Sequence, residues 1–450
     1  KISMSNDVKV RFPPSPTGYC HVGTARMAVL NYMFAKKNGG TIVFRSEDTD
    51  RERSTKEFEE DIVQELKWLG LEWDEFYRQS ERTNVYRTAL EKLIAEDKAY
   101  ISKEPSKKDP SVEVAVVRLR NPGTTITFTD IIRGDITFDT KELGDFAIAR
   151  SIDDPLYHLT VVVDDAEMKI SHVIRGEDHI SNTPRQILIQ EALQYDRPLY
   201  AHFPLHLAAD KSKLSKRKGD VAVRSYREKG FLPEALFNYL AMLGWTPPSG
   251  REIMKLEEMI AEFDLHNLHK SAAVFDLEKL RWFNRQYIER MNDGEFSDYV
   301  VPVFERALKE RGVGYEENIA AKLLPLLREK VSIAGDVKEM IVEGEFDFFF
   351  KDPELDPARI PEKKSNPAEA SEHLALAKET LANIDDWLPG AIKSALWDYA
   401  SERGRGAVLW PLRYALSGRD KSPDPFFIAS VIGKDATLAR IDRALQKVSA

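Results

Sequence analysis

The segment from Val8 to Phe34 leaves the chain few ways to fold. Val8, Val10 and Phe12 alternate with Lys9 and Arg11, the two-residue period of a short strand, and Pro13, Pro14, Pro16 and Gly18 then break regular structure. From Val22 onward Ala25, Ala28, Val29, Tyr32 and Phe34 recur at helical spacing. A strand, a loop and a helix in that order put His21, Gly23 and Thr24 at a helix N-terminus. Unpaired N–H groups and the positive end of the helix dipole make that place attractive to phosphate. The segment lacks the Lys-Ser/Thr pair of a Walker loop and the three spaced glycines of a dinucleotide fingerprint. By itself, His-x-Gly-x is too short to separate a nucleotide site from an ordinary turn.

A second feature lies far downstream, where Asp210-Lys-Ser-Lys-Leu-Ser-Lys-Arg-Lys-Gly219 concentrates positive charge. Taken alone it is a solvated basic loop, as most charge runs are.

Together, His21-Val-Gly-Thr24 and Lys213-Leu-Ser-Lys-Arg217 resemble the HIGH and KMSKS motifs of class I aminoacyl-tRNA synthetases, in order and in separation. Arg11 to Gly18, Arg45-Ser-Glu-Asp-Thr-Asp50, Val173-Ile-Arg-Gly-Glu-Asp178 and Gly230-Phe-Leu-Pro-Glu-Ala-Leu236 resemble the bacterial-type glutamyl-tRNA synthetases, and the likeness covers most of the chain. The resemblance implies ATP-dependent ligation of L-glutamate to tRNA(Glu) through a glutamyl-adenylate. Catalytic roles would fall to His21, Thr24, Lys213 and Lys216. ATP would be bound by His21, Gly23, Asp178, His206, Lys213, Ser215, Lys216 and Arg217, and glutamate by Arg11, Ser15, Glu47, Tyr157 and Arg175. By residue type the glutamate set is sound, since an ammonium suits a carboxylate such as Glu47 and a carboxylate suits a planar, two-pronged arginine. Mg²⁺ is implied by ATP and would ride on the substrate phosphates, with no protein metal site named. Pro13 stands where the family motif usually has a small residue. The segment after Tyr100, sometimes zinc-binding in the family, is here a short Lys/Pro-rich piece from Lys103 to Pro110.

The fold class expected is α/β: a Rossmann-like parallel-sheet catalytic domain with an α+β insertion, followed by an all-helical C-terminal anticodon-binding half. The boundaries read are 1–98 for the first half of the catalytic domain, 99–155 for an acceptor-binding insertion, 156–222 for the second half, 223–300 for a stem-contact domain and 301–450 for the anticodon-binding domain. Thr41 to Arg45 reads as a buried parallel strand, and Phe58, Ile62, Leu66 and Leu69 mark one face of a helix. Tyr157 to Asp165 and His172 to Gly176 read as buried strands. Leu374, Ala377, Leu381 and Ile384 form one helical stripe, and Leu438, Ile441 and Leu445 another.

Bulk properties exclude more than they select. A 450-residue chain with 42% hydrophobic and 31% charged residues has a globular composition, and no run nears the ~18 apolar residues of a membrane span. Without a secretory signal, a cytoplasmic enzyme is expected, active as a monomer. Cys20 is the single cysteine, which excludes a disulfide framework, and it reads as a small loop residue. The net charge of −9 disfavours indiscriminate nucleic-acid binding. Residues 205 to 230 nevertheless carry eight Lys/Arg against three Asp/Glu, and residues 401 to 450 nine against five, so basic surfaces for RNA are expected there. Three other readings remain at this point. A non-discriminating enzyme would also charge tRNA(Gln), a second adenylate-forming enzyme would act on a small acid without tRNA, and an inactive paralogue would only bind tRNA.

Overall fold

Val10 and Phe12 are fully buried in β1 (Lys9–Phe12), the strand that the alternation of the N-terminal segment demands. The computed structural model describes residues 7–105, 109, 111–208 and 221–449. After β1 the chain passes through α1 (Val22–Lys37), β2 (Thr41–Ser46), α2 (Lys56–Trp68) and β3 (Glu75–Arg78). β2 pairs in parallel with both β1 and β3, giving the order β1-β2-β3. Parallel strands need crossovers, and α1 and α2 supply them. Ile62, Leu66 and Leu69 are buried on one face of α2 and just beyond it, as the periodicity required.

After α3 (Thr83–Ala95) come β4 (Ala99–Pro105), β5 (Glu113–Leu119), β6 (Thr125–Asp130), β7 (Gly134–Asp139), β8 (Phe146–Ser151) and β9 (Asp154–Pro155). These six strands do not form one sheet. β4, β5, β8 and β9 make an antiparallel sheet of their own, whereas the β6-β7 hairpin is recruited elsewhere.

The second half of the nucleotide fold follows as α4 (Tyr157–Glu167), β10 (His172–Gly176), α5 (Thr183–Leu193), β11 (Leu199–Phe203) and β12 (His206–Leu207). β10 and β11 are parallel, and β6 joins the far edge of β11 through the pair Tyr200 and Asp130. α4 corrects the strand expected over Tyr157 to Asp165. Leu159 through Asp165 are all buried, so the segment shows no helical periodicity, and its Val161-Val-Val163 run imitates a buried strand. The β preference of valine is weak enough for packing to override. α3, α4 and α5 pack together over a core shared by Val43, Leu159, Val173 and Ile187.

The two half-sheets meet at β1 and β10. At their N-terminal ends, Ser171 N–H donates to the Lys9 carbonyl at 2.9 Å, and Lys9 N–H donates to Ser171 Oγ at 2.8 Å. Farther along, Asn31 of α1 donates to the Ile174 carbonyl at 3.1 Å, a bond that satisfies a buried backbone group of β10. This seam is a topological switch point, the place where open parallel sheets bind ligands at the carboxyl ends of their strands.

From Val223 the chain is mainly helical. α6 (Val223–Glu228), α7 (Pro233–Met242), α8 (Leu256–Glu262), the short β13 (Ala273–Val274) and α9 (Leu277–Arg290) come first, with α7 and α8 packed on α1. Two compact units result, Lys1–Tyr287 and Ile288–Ala450. The second consists of α10 (Asp293–Glu310), α11 (Glu317–Lys330), α12 (Gly335–Val342), α13 (Asp347–Phe350), α14 (Pro367–Ala382), α15 (Pro389–Arg403), α16 (Arg405–Ser417), α17 (Pro425–Ile432) and α18 (Lys434–Ser449). Leu374, Ala377 and Leu381 are buried in α14, while Ile384 lies past its end; Ile441 is buried in α18 and Leu438 and Leu445 are half-buried. Among the described residues, no helix is long and apolar enough to cross a membrane.

Candidate active site

His21 is the N-cap of α1, with extended backbone angles and a ring Nδ1 that accepts from Gly23 N–H at 3.0 Å. That bond satisfies one of the helix's unpaired donors and leaves the proton of a neutral imidazole on Nε2. Gly23 and Thr24 are half-buried in the first turn. The preceding loop is anchored from α2, where Asp61 Oδ2 accepts from Cys20 N–H at 2.8 Å. Burial, followed by Asp61, pushes the Cys20 thiol well above its ordinary range, so it is not a poised nucleophile.

Lys213, Ser215, Lys216 and Arg217 lie outside the described residues. The chain that follows them is tied to the same helix end. Val22 N–H donates to the Val221 carbonyl and Val223 N–H to the Cys20 carbonyl, each at 2.8 Å. Asp178 is exposed in the turn Glu177–Asn182, directly after β10. A Cβ on Gly176 would lie 2.5 Å from Asp178 Oδ1, so only glycine leaves that carboxylate where it is. His206 opens β12, which pairs in parallel with β13, His206 opposite Ala273. Its side chain is not among the described groups.

Beside the seam lies a buried ion network, which holds two of the five residues expected to bind glutamate, Arg11 and Glu47. Arg11 comes from the end of β1 and Arg45 from β2. Asp165 Oδ1 takes Arg45 Nη1 at 2.7 Å and Arg11 Nε at 3.3 Å. Glu47 Oε1 takes Arg45 Nη2 at 2.9 Å. Asp164 accepts from Gln79, Arg82 and Tyr86 at 2.9, 2.7 and 2.8 Å. At Asp165, Glu47 and Arg175 burial is the largest influence, and the charged neighbours either outweigh it or fail to. Asp165 is buried, yet Arg11 and Arg45 outweigh that and hold its carboxyl below the usual range. Burial lifts Glu47 despite Arg45, and it lowers Arg175, which Arg11 lowers further. Tyr157 is raised, first by burial and then by Glu47.

Arg175 stands at the carboxyl end of β10 and is 4% exposed. Its Nε donates to His202 Nε2 at 3.0 Å and its Nη2 to Thr183 Oγ1 at 2.8 Å. Tyr157, the first residue of α4, has its hydroxyl 3.1 Å from His179 Nδ1. Among the described residues, Arg11 Nη1 and Arg175 Nη1 are buried without a hydrogen-bond partner. Buried donors are ordinarily satisfied, so two guanidinium nitrogens left open at one switch point are suited to an anionic ligand. Ser15 is exposed, on a loop pinned to the same region by Glu47 N–H donating to the Pro14 carbonyl at 2.9 Å.

The residue-by-residue reading of the sequence missed Arg26, Arg45, Asp130, Asp164, Asp165 and His202 as parts of the site. Arg26 is fully buried in α1 and spans two carbonyls, Pro204 and Leu243, each at 2.6 Å; burial lowers its pKa to about 10. A signal was available. Arg45, Asp164, Asp165 and His202 each interrupt or end an apolar run, and a charge inside a buried run must find a partner. Among the described residues, no group of three or more His, Cys, Asp or Glu side chains could hold a metal ion.

A family model described as tRNA synthetases class I (E and Q), catalytic domain, matches residues 7–109 and 101–282, and one described as an anticodon binding domain matches 277–445. The glutamate–tRNA ligase of Aquifex aeolicus is 39% identical, over 98% of this chain and 99% of that protein. The glutamate–tRNA ligase of Bacillus licheniformis is 35% identical, over 98% and 100%. Among solved structures, a glutamate tRNA ligase from Elizabethkingia meningosepticum in complex with its amino acid has a TM-score of 0.85 at 32% identity, covering 98% of this chain and 99% of that one. Glutamate-tRNA synthetase from Elizabethkingia anophelis has a TM-score of 0.84 at 32% identity, over 98% and 100%.

Proposed function

We propose, from the premise that this chain belongs to the glutamate–tRNA ligase family of class I tRNA synthetases, a division of the active site into a phosphate end at α1 and a carboxylate end around Arg175. The enzyme joins glutamate to tRNA with ATP as the energy-supplying substrate. The glutamate α-carboxylate attacks the α-phosphorus of ATP, forming an acyl-phosphate bond and releasing pyrophosphate. A terminal ribose hydroxyl of tRNA then attacks the acyl carbon and releases AMP.

Neither step needs a covalent enzyme intermediate, so the protein works by placement and by stabilising developing charge. At the phosphate end, the Nε2 proton left on His21 is the donor for an ATP phosphate, Gly23 admits the nucleotide to the helix end, and Thr24 adds a hydroxyl. Lys213, Ser215, Lys216 and Arg217 close over the departing pyrophosphate, a role supported by the attachment of Val221 to Val22. Asp178 and the His206 backbone serve the nucleoside. At the carboxylate end, Glu47 and Tyr157 face the α-ammonium, Arg11 and Arg175 take carboxylate oxygens, and Ser15 lies on the adjoining loop. The observation that carries this reading is the pair of open, buried nitrogens, Arg11 Nη1 and Arg175 Nη1.

Mg²⁺ accompanies ATP on its phosphates, and the described side chains offer no cage for it. The partner is tRNA(Glu), bound by a monomeric, cytoplasmic enzyme, with residues 99–155 at the acceptor end, 223–300 at the stem and 301–450 at the anticodon. Aminoacylation of purified isoacceptors tests the substrate. Charging of tRNA(Glu) alone is expected, charging of tRNA(Gln) as well would make the enzyme non-discriminating, and charging of neither would overturn the reading.

A further inference from the structure

The two nitrogens of Arg175 that are not open are held by His202 and Thr183. We propose that Asp130 and His202 are positioning residues that aim Arg175 Nη1 at the side-chain carboxylate of glutamate and thereby set the preference for glutamate over glutamine. The inference rests on the reading of Arg175 as a glutamate-binding group.

A guanidinium only donates, so the 3.0 Å bond from Arg175 Nε requires the lone pair of His202 to be on Nε2. The imidazole proton is then on Nδ1, which donates to Asp130 Oδ2 at 2.7 Å. Asp130 is itself held as an acceptor. Its Oδ2 also takes the His202 backbone N–H at 2.9 Å, and Oδ1 takes the N–H groups of Ile132 and Arg133, each at 3.0 Å. Asp130 and His202 are each 1% exposed or less. On the other side of the guanidinium, Thr183 Oγ1 accepts from Nη2 and passes its own proton to the His179 carbonyl at 3.1 Å. Tyr200 closes the stack, with its ring at 14° to that of His202 and its centroid 5.7 Å from the Arg175 guanidinium carbon. With Nε and Nη2 fixed, the planarity of the guanidinium leaves Nη1 one direction. The set is drawn from β6, β10, α5 and β11, so the β6-β7 hairpin reaches into amino-acid recognition through Asp130.

The chemistry of discrimination explains why aim matters. A carboxylate offers two acceptors to the guanidinium, whereas a carboxamide can present an NH₂ that meets donor with donor. A rotated or tautomer-mismatched Arg175 loses that contrast. Asp130→Asn must turn its NH₂ either toward the two backbone N–H groups at Oδ1 or toward His202. In the second case the imidazole is driven to the tautomer that faces Arg175 with an N–H. His202→Phe removes the acceptor and keeps ring volume. His202→Gln offers an oxygen in its place.

The experiment is pyrophosphate exchange with tRNA present, reading KM for glutamate and for ATP separately, the glutamate-to-glutamine ratio, and Tm for each variant. Asp130→Asn and His202→Phe should raise the KM for glutamate on the order of tenfold, the effect of one misdirected charge-assisted hydrogen bond, while the KM for ATP stays at wild type. His202→Gln should recover part of the loss. The double variant Arg175→Ala/His202→Phe should be no worse than Arg175→Ala, because His202 acts through Arg175. Wild-type glutamate KM and discrimination in Asp130→Asn and His202→Phe would overturn the proposal, as would KM values for glutamate and ATP that rise together with a lowered Tm. If Arg175→Ala raises the KM for glutamate and the other two variants do not, only the positioning role falls. If Arg175→Ala itself binds glutamate normally, the reading beneath it falls too.

Discussion

His21 caps α1 through Nδ1 and Gly23 N–H, and in the proposed mechanism its Nε2 donates to phosphate, so the two ring nitrogens allow the roles to be separated. His21→Asn keeps a capping oxygen, while its NH₂ falls short of the position that Nε2 occupies. It should lower adenylate formation by on the order of 10² with an unchanged Tm. His21→Ala removes both, and should cost about 1 kcal/mol of stability in addition. Urea unfolding beside pyrophosphate exchange reads the two effects independently. Lys216→Ala makes the complementary case, since the lysine loop is expected to act only in the transition state. Adenylate formation should drop by on the order of 10²- to 10³-fold, with glutamate binding retained. Full exchange activity in that variant would remove the loop from the mechanism.

At the scale of elements, α4 brings Asp164 and Asp165 to the buried ion network, and its sequence hid it. Strand β1, the α1 N-terminus, strand β2 and helix α2 were legible because their hydrophobic periods are clean and their loops are marked by proline and glycine. α4 is buried nearly all round, so neither period survives, and a valine run tips the reading toward strand. The split of the inserted strands between two sheets was equally invisible, because pairing partners are chosen by tertiary packing. Tyr157 and Arg175 could be named from motif likeness, but their supports could not. His202 and Asp130 are 72 residues apart and carry no local pattern. The helix reading has a measurable consequence. Asp165 lies two turns from Tyr157 and pairs with both Arg11 and Arg45, so Asp165→Ala takes away the ion-pair partner of the buried Arg11, while Arg45 keeps Glu47. Breaking a buried pair of this kind costs about 3 to 5 kcal/mol, which denaturant unfolding would register. A loss no larger than that of an exposed ion pair would show that solvent already reaches the network.

For the whole molecule, pH is a global probe of what is buried. Burial lowers the pKa of His158 and His179 to about 4. The unfolded chain, with histidines near ~6.5, therefore binds more protons between about pH 6.5 and 4, and stability falls as pH falls through that window. Asp165 and Asp130, both held below their ordinary range against their own burial, extend the loss below about pH 4. Unfolding free energies measured by urea titration at several pH values check the sign; a flat profile from neutrality to pH 5 would contradict the burial of the two histidines. Ionic strength probes the other large-scale property. If this acidic chain binds tRNA through its localised lysines and arginines, affinity should fall steeply as salt rises, with log K linear in log salt. Binding insensitive to salt would mean that the basic stretches at 205–230 and 401–450 do not touch phosphates.

The open nitrogens on Arg11 and Arg175 also bear on inhibitor design. Two buried guanidinium donors left unsatisfied carry a desolvation cost of about 1 to 3 kcal/mol each, and a ligand that supplies acceptors relieves it. Small inorganic anions should therefore compete with glutamate, and carboxylate isosteres that retain negative charge and two acceptors, such as tetrazoles or sulfonates, should be accommodated. Esters and primary amides keep a carbonyl acceptor but no charge and should bind more weakly than the acids, so medicinal chemistry that masks charge to cross membranes would need a group that is unmasked before it reaches this enzyme.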